Sequence, residues 1–170
     1  MDIKKWMIFG LAIGLVTSVI HPVHAAPNGI SEWAIVLEAF SWLGVPYELG
    51  GESKNGVDCS GLVHQVYNRA GAPFVYYKDR SAEDIRYSPN SYSVYPPRTG
   101  DVVLFQEKYG PNKGKWTHIG IYLWENKFIH SSYYARKVVY DDLYYSPYYG
   151  RGWWYKNYNV AFVRYNPDYP

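Results

Sequence analysis

The 170 residues contain one cysteine and two methionines, and lysine and arginine nowhere gather into a run. A single cysteine excludes an intrachain disulfide framework, and the thiolate spacings of a structural zinc site are missing as well. Seventeen basic side chains against fifteen acidic ones leave a formal charge of +2. That is too small for a chain whose main partner is nucleic acid or an anionic surface. No repeat or linker divides the sequence, so its length reads as one domain. At 48% hydrophobic and 19% charged residues, the chain can bury a core and is not globally disordered.

The abundant residues are aromatic, with 20 tyrosines and 7 tryptophans. The N-terminus has a pattern of its own. Lys4 and Lys5 precede an uncharged apolar run from Trp6 to Ile20, and small residues follow at Ala25 and Ala26. This is the pattern of a Sec signal peptide over residues 1–26, cleaved after Ala25 or Ala26. The run is short for a bilayer span of about 20 residues, so no stable membrane insertion is expected after cleavage. The expected product is a single exported domain over 27–170, in the periplasm, the cell wall or the extracellular space. In that setting a lone thiol cannot pair within the chain and stands out as a candidate reactive group.

Along this domain, Ser31 is a fair N-cap for a helix carrying Ile35, Val36, Ala39, Phe40 and Leu43, closed by Gly44. A Gly- and Pro-containing loop follows. A second helix starts near Asp58, carries Leu62, Val63, Val66, Tyr67 and Ala70 on one stripe, and stops at Gly71 and Pro73. Ser81 with Asp84 resembles a capping box for a short helical turn. The segment from Ser88 to Gly100 reads as irregular. From Asp101 onward the chain turns to short β-branched and aromatic runs, "DVVLF", "THIGIYL", "KFIHSS", "KVVYDDL" and "NVAFVRY". Helices followed by hairpin-linked strands predict an α+β fold, with N-terminal helices packed on a mostly antiparallel sheet of five to six strands.

Cys59 falls in the first turn of the second helix, where free N–H groups and the helix dipole favour an anion. A neighbouring imidazole would lower its pKa further, so the sequence predicts an ionised thiol near neutral pH. Gly61, just beyond, leaves room for a substrate backbone. His21 and His24 leave with the signal segment, and His64 lies five residues along the helix, so His118 and His130 remain. Strand alternation puts His118, Gly120 and Tyr122 on one face. A two-residue turn at Glu125-Asn126 would send His130 to the opposite face. An odd-length turn or a bulge brings it round to pair with Tyr122 or Gly120. That register predicts a nucleophile, a base and an orienting residue in Cys59, His118 and His130. Other readings of the same residues are a small buried hydrophobe for Cys59, core packing for the histidines, and a zinc site made by all three.

These motifs, in this order, resemble the NlpC/P60 cell-wall peptidases, cysteine peptidases with a papain-like core. "LGVPYELGG", "VDCSGLVHQVY", "RTGDVVLF", "THIGIYL" and "FIHSS" are similar to the family's successive blocks. The resemblance implies Cys59 as nucleophile, His118 as general base and His130 as the third polar residue. It implies Tyr47 as an oxyanion donor beside the Cys59 backbone N–H. It also implies Asp58, Ser60 and, more loosely, Arg80 as substrate-binding residues, with no metal and no cofactor. The implied activity is endopeptidase cleavage of a peptidoglycan stem peptide between γ-D-glutamate and a diamino acid. A peptidoglycan amidase, an acyltransferase of the same papain-like group, and an antibacterial wall-degrading effector are the alternatives. The implied partners are peptidoglycan or muropeptides, with an immunity or regulatory protein added in the effector case. The segment from Ser131 to Tyr158 carries nine tyrosines and two tryptophans, readable either as cover for a small core or as an aromatic rim on the groove.

Overall fold

The computed structural model describes residues 31–74 and 80–166. The signal-peptide reading of residues 1–26 lies outside the described residues. Helix α1 (Glu32–Ser41) starts at Ser31, whose hydroxyl accepts the Trp33 N–H. The expected loop after it holds a small hairpin, β1 (Glu52–Ser53) with β2 (Gly56–Val57), whose two-residue strands are too short to show a period in the sequence. Helix α2 (Cys59–Arg69) buries Leu62, Val63, Val66 and Tyr67 as its stripe requires. Gly71, at φ 81°, turns the chain out of it. Helix α3 (Ala82–Arg86) has the full capping box between Ser81 and Asp84.

The central sheet joins β3 (Ser91–Ser93), β4 (Val102–Glu107), β5 (Trp116–Tyr122), β6 (Lys127–Ser132), β7 (Lys137–Asp142) and β10 (Tyr158–Tyr165). Their order is β3-β10-β4-β5-β6-β7, and every pairing is antiparallel. Six strands with helices against them make the fold α+β, as expected. Edge strand β3 was read as irregular because a three-residue strand among prolines has no periodicity to detect. The short pair β8 (Tyr145–Ser146) and β9 (Gly150–Arg151) and helix α4 (Trp153–Asn157) were likewise not foreseen.

Alternation divides the sheet's side chains between two cores. Val102, Leu104, Ile119, Ile121 and Ile129 pack against α1, α2 and α3. Val103, Phe105, Tyr122 and Phe128 pack on the other face beneath Leu143 and Trp154. Part of the aromatic C-terminal segment is therefore the cover of this second core.

The β5–β6 hairpin sets the register on which the site depends. Tyr122 pairs with Phe128 and Ile121 with Ile129, so Trp124, Glu125 and Asn126 make a three-residue loop, with Glu125 and Asn126 at positive φ. This is the odd-length turn expected from the histidine spacing, and it sets Gly120 opposite His130. A methyl group on Gly120 would lie 2.8 Å from the Ile129 carbonyl oxygen and 3.1 Å from His130 Cβ, so glycine gives His130 its place. The two strands pair only through those two positions and then separate towards the N-terminal end of β5.

Candidate active site

The N-terminus of α2 meets this opening. The Ser131 hydroxyl donates to the Val57 carbonyl at 2.7 Å and ties β6 to the approach to Cys59. Asp58 caps the helix: Oδ1 accepts the Gly61 N–H at 2.7 Å and the Ser60 hydroxyl at 3.0 Å, and Oδ2 accepts the Gly50 N–H at 2.8 Å. Asp58 and Ser60 are thus committed to ordering the backbone around Cys59, and neither lines the pocket described below. Gly61 serves the same packing. A Cβ there would stand 2.2 Å from the Gly51 carbonyl oxygen, so the space once assigned to substrate backbone belongs to the chain's own preceding loop.

The backbone N–H groups of Ser60, Ile119 and Cys59 face the sulfur and favour its anion. Burial opposes them and prevails. With the Asp58 carboxylate adding to the effect, the thiol is pushed up to about 12. Burial, then the neighbouring His130, hold His118 well below the ordinary imidazole value. In place of the expected ionised thiol, the pocket holds a thiol raised above its ordinary value and an imidazole lowered below its own, the neutral form of both. The helix start is present, but its donors are outweighed by the loss of water.

The two histidines meet directly. His118 Nε2 lies 2.7 Å from His130 Nδ1, with the rings edge to face at 86°. Trp154 stacks on His118 at 5.5 Å and meets His130 edge-on, while Phe128 stacks on His130 at 4.9 Å. These contacts fix both rings. Behind His130 stands Asp141, a residue the sequence reading missed. Its Oδ2 lies 3.4 Å from His130 Nε2 and accepts the Ser146 hydroxyl and the Trp154 indole N–H; its Oδ1 accepts the Asp142 N–H. Alternation along "KVVYDDL" from Val139, the partner of His130, would have pointed Asp141 to the same face, but only with the β6–β7 register in hand.

Cys59, His118 and Tyr47 open into one pocket of about 350 Å³. Tyr133, Tyr134, Tyr149, Trp153, Trp154 and Tyr158 form its walls, so the aromatic segment supplies a rim as well as core cover. Tyr47 packs edge-on against Tyr133. Burial, with Cys59 and Asp58 close by, pushes its hydroxyl up to about 12, so Tyr47 remains a proton donor. Among the described residues, Glu107 is the only formally charged side chain lining the pocket. It lies opposite Tyr158 in the sheet, and the Thr117 hydroxyl donates to it at 3.0 Å. Arg80 is elsewhere. It pairs with Glu52 at 2.8 Å, both side chains being exposed, and does not line the pocket. Among the described residues no group of three or more His, Cys, Asp or Glu is placed to hold a metal ion.

The sequence profile of the NlpC/P60 family matches residues 44–160. The Escherichia coli K12 protein named murein DD-endopeptidase MepS/murein LD-carboxypeptidase is 35% identical over 120 residues, covering 71% of this chain and 56% of that protein. The Bacillus subtilis gamma-DL-glutamyl hydrolase is 36% identical over 109 residues, covering 64% and 25%. Among solved structures, an NlpC/P60 family protein from Bacillus cereus superposes with a TM-score of 0.65 at 26% identity, over 82% of this chain and 43% of that one. The chain spans about two thirds or less of the length of the curated relatives it matches.

Proposed function

The chain belongs to the NlpC/P60 family, and from that premise we propose that the pocket is the active site of a cysteine endopeptidase acting on peptidoglycan stem peptides. The observation that carries the reading is the set of groups at one pocket: Cys59 at a helix start, and His118 on the same lining with His130 hydrogen-bonded to its Nε2. His118 uses Nε2 for His130, which leaves Nδ1 for the sulfur.

In the proposed cycle the Cys59 proton passes to His118 Nδ1 as the sulfur attacks the amide carbonyl. The Cys59 backbone N–H and the Tyr47 hydroxyl hold the resulting oxyanion. When the tetrahedral intermediate collapses, the C–N bond breaks, the amine leaves with the proton from His118, and a thioester remains. Water then attacks the thioester, giving its proton to His118; the C–S bond breaks, the new carboxyl group leaves with the peptide, and the sulfur takes the proton back from His118. Tyr47→Phe keeps the ring against Tyr133 and removes one donor, so kcat should fall by about 100-fold with KM little changed. An unchanged kcat would take Tyr47 out of the oxyanion site.

For the bond we take γ-D-glutamyl to diamino acid; the name of the Bacillus relative supports the γ-glutamyl side alone, and the Escherichia coli relative, named a DD-endopeptidase, makes a D,D bond the second candidate. Glu107 suits a leaving residue that carries a free ammonium, since an amine-bearing group would meet one carboxylate among aromatic walls. Export is part of the same reading. Cleavage after residue 25 or 26 would leave the domain over 27–170 facing the cell wall, with a mature N-terminus that intact mass can read. Asp58 and Ser60 act in this scheme by holding the Cys59 turn, and Arg80 has no role in it.

The test is digestion of purified muropeptides read by mass spectrometry, with the diamino acid's second amine free or acetylated. Products split between γ-D-glutamate and the diamino acid, formed faster from the free amine, are expected. Cleavage beside muramic acid would assign an amidase instead, and cleavage of a D,D cross-link would move the bond but keep the chemistry. No product from any wall type would end the reading.

A further inference from the structure

The catalytic scheme leaves the buried Asp141 carboxylate unused, and His130 Nε2 is without an ordinary hydrogen bond. We propose that Asp141 is a positioning residue that fixes the ring protons of His130, and through them those of His118, so that the nitrogen facing Cys59 is bare. The inference rests on the endopeptidase reading above.

His130 and Asp141 are 0% and 1% exposed, so neither is arranged by water. The polar neighbours of the His130 ring are His118 Nε2 at 2.7 Å and Asp141 Oδ2 at 3.4 Å. Asp141 is surrounded by donors: a serine hydroxyl, an indole N–H and a backbone N–H. Its two oxygens accept from all three, so they face His130 as acceptors. At 3.4 Å its pull on His130 Nε2 is electrostatic more than a well-formed hydrogen bond. That is enough to choose between two tautomers, because the alternative sets a ring lone pair against a carboxylate oxygen.

A neutral imidazole carries one N–H. His130 is held neutral, since burial lowers its pKa by more than Asp141 raises it. With the proton on Nε2, His130 Nδ1 is an acceptor, and the 2.7 Å contact then requires His118 to donate from its Nε2. His118 Nδ1 is left unprotonated, ready to take the thiol proton. The opposite choice at His130 would place a proton on His118 Nδ1 and block the first step. Geometry alone cannot prevent that choice, because the two rings fit either way. The carboxylate decides it.

Asp141→Asn keeps the size and an accepting oxygen but offers an amide N–H to His130 Nε2. It should lower kcat by about 100-fold with KM nearly unchanged, less than the roughly 10⁴-fold seen where such a carboxylate touches the base directly. The decisive comparison is made in a His130→Asn background. An asparagine there can accept from His118 Nε2 with no tautomer to choose, so adding Asp141→Asn should cost less than about twofold. Equal losses in both backgrounds would make Asp141 merely structural and overturn the proposal. Ring ¹⁵N shifts supply a reading that needs no variant of Asp141. Wild-type His118 should show a bare Nδ1 and a protonated Nε2, and the reverse pattern would sink the idea. Because those shifts are read without substrate, they stand or fall apart from any assay on muropeptides.

Discussion

Cys59→Ala is expected to lower muropeptide turnover by about 10⁶-fold, and His118→Gln by a comparable factor, with the double variant no worse than either alone. The reason is that the two groups carry one step. Without the sulfur, the imidazole has no proton to take. Without the imidazole, a thiol held up near 12 stays protonated. Each single change therefore removes the whole covalent route and leaves only whatever binding and the oxyanion donors can do. Stability should barely respond. Cys59 is half-buried at the edge of the helix-side core, and alanine leaves the Asp58 cap and its Gly61 partner in place. A shift in Tm of no more than a few degrees, with activity gone, is the expected pair of results. Turnover within a hundredfold of wild type in Cys59→Ala would remove this sulfur as nucleophile.

The part of the site that could be read from the sequence was written in local rules. Asp58 and Ser81 start helices because short polar side chains can accept from free N–H groups, and both helices are where those caps put them. The shared face of His118 and His130 could be argued from a period of two and one turn length, and the three-residue loop at Trp124 to Asn126 gives that face. What could not be read depends on neighbours distant in sequence. Within "KVVYDDL" nothing singles out Asp141, and its burial follows from a β6–β7 register and from Trp154 on a helix of five residues. Gly61 looked like room for substrate, but Gly51, ten residues earlier, occupies that room. Local rules placed Cys59 at a helix start; only packing could show that desolvation there outweighs the donors facing its sulfur. In each instance the misreading lay in who the neighbour was, not in the element.

That last point makes a second strong expectation. The rate of Cys59 alkylation by iodoacetamide should be low at pH 6 and climb about tenfold per pH unit to pH 9, close to 1000-fold overall, with no plateau. The sign follows from the direction of both shifts. A thiol whose pKa is raised to about 12 is neutral throughout this range, so the reactive anion grows in proportion to hydroxide. An imidazole whose pKa is lowered stays uncharged, so no imidazolium steadies the anion and no step appears near 6.5 as His118 titrates. A thiolate–imidazolium pair would behave oppositely, reaching its full rate by about pH 6 and staying there. Observing that plateau would overturn the neutral pair and require the three N–H groups at the sulfur to outweigh burial after all. The neutral state also bears on where the enzyme is proposed to work. Oxidants attack thiolates, so a lone cysteine outside the cell lasts longer as a buried thiol than as an anion. Proton transfer to His118 then coincides with attack on the substrate, and the sulfur is a strong nucleophile only while a carbonyl is in front of it.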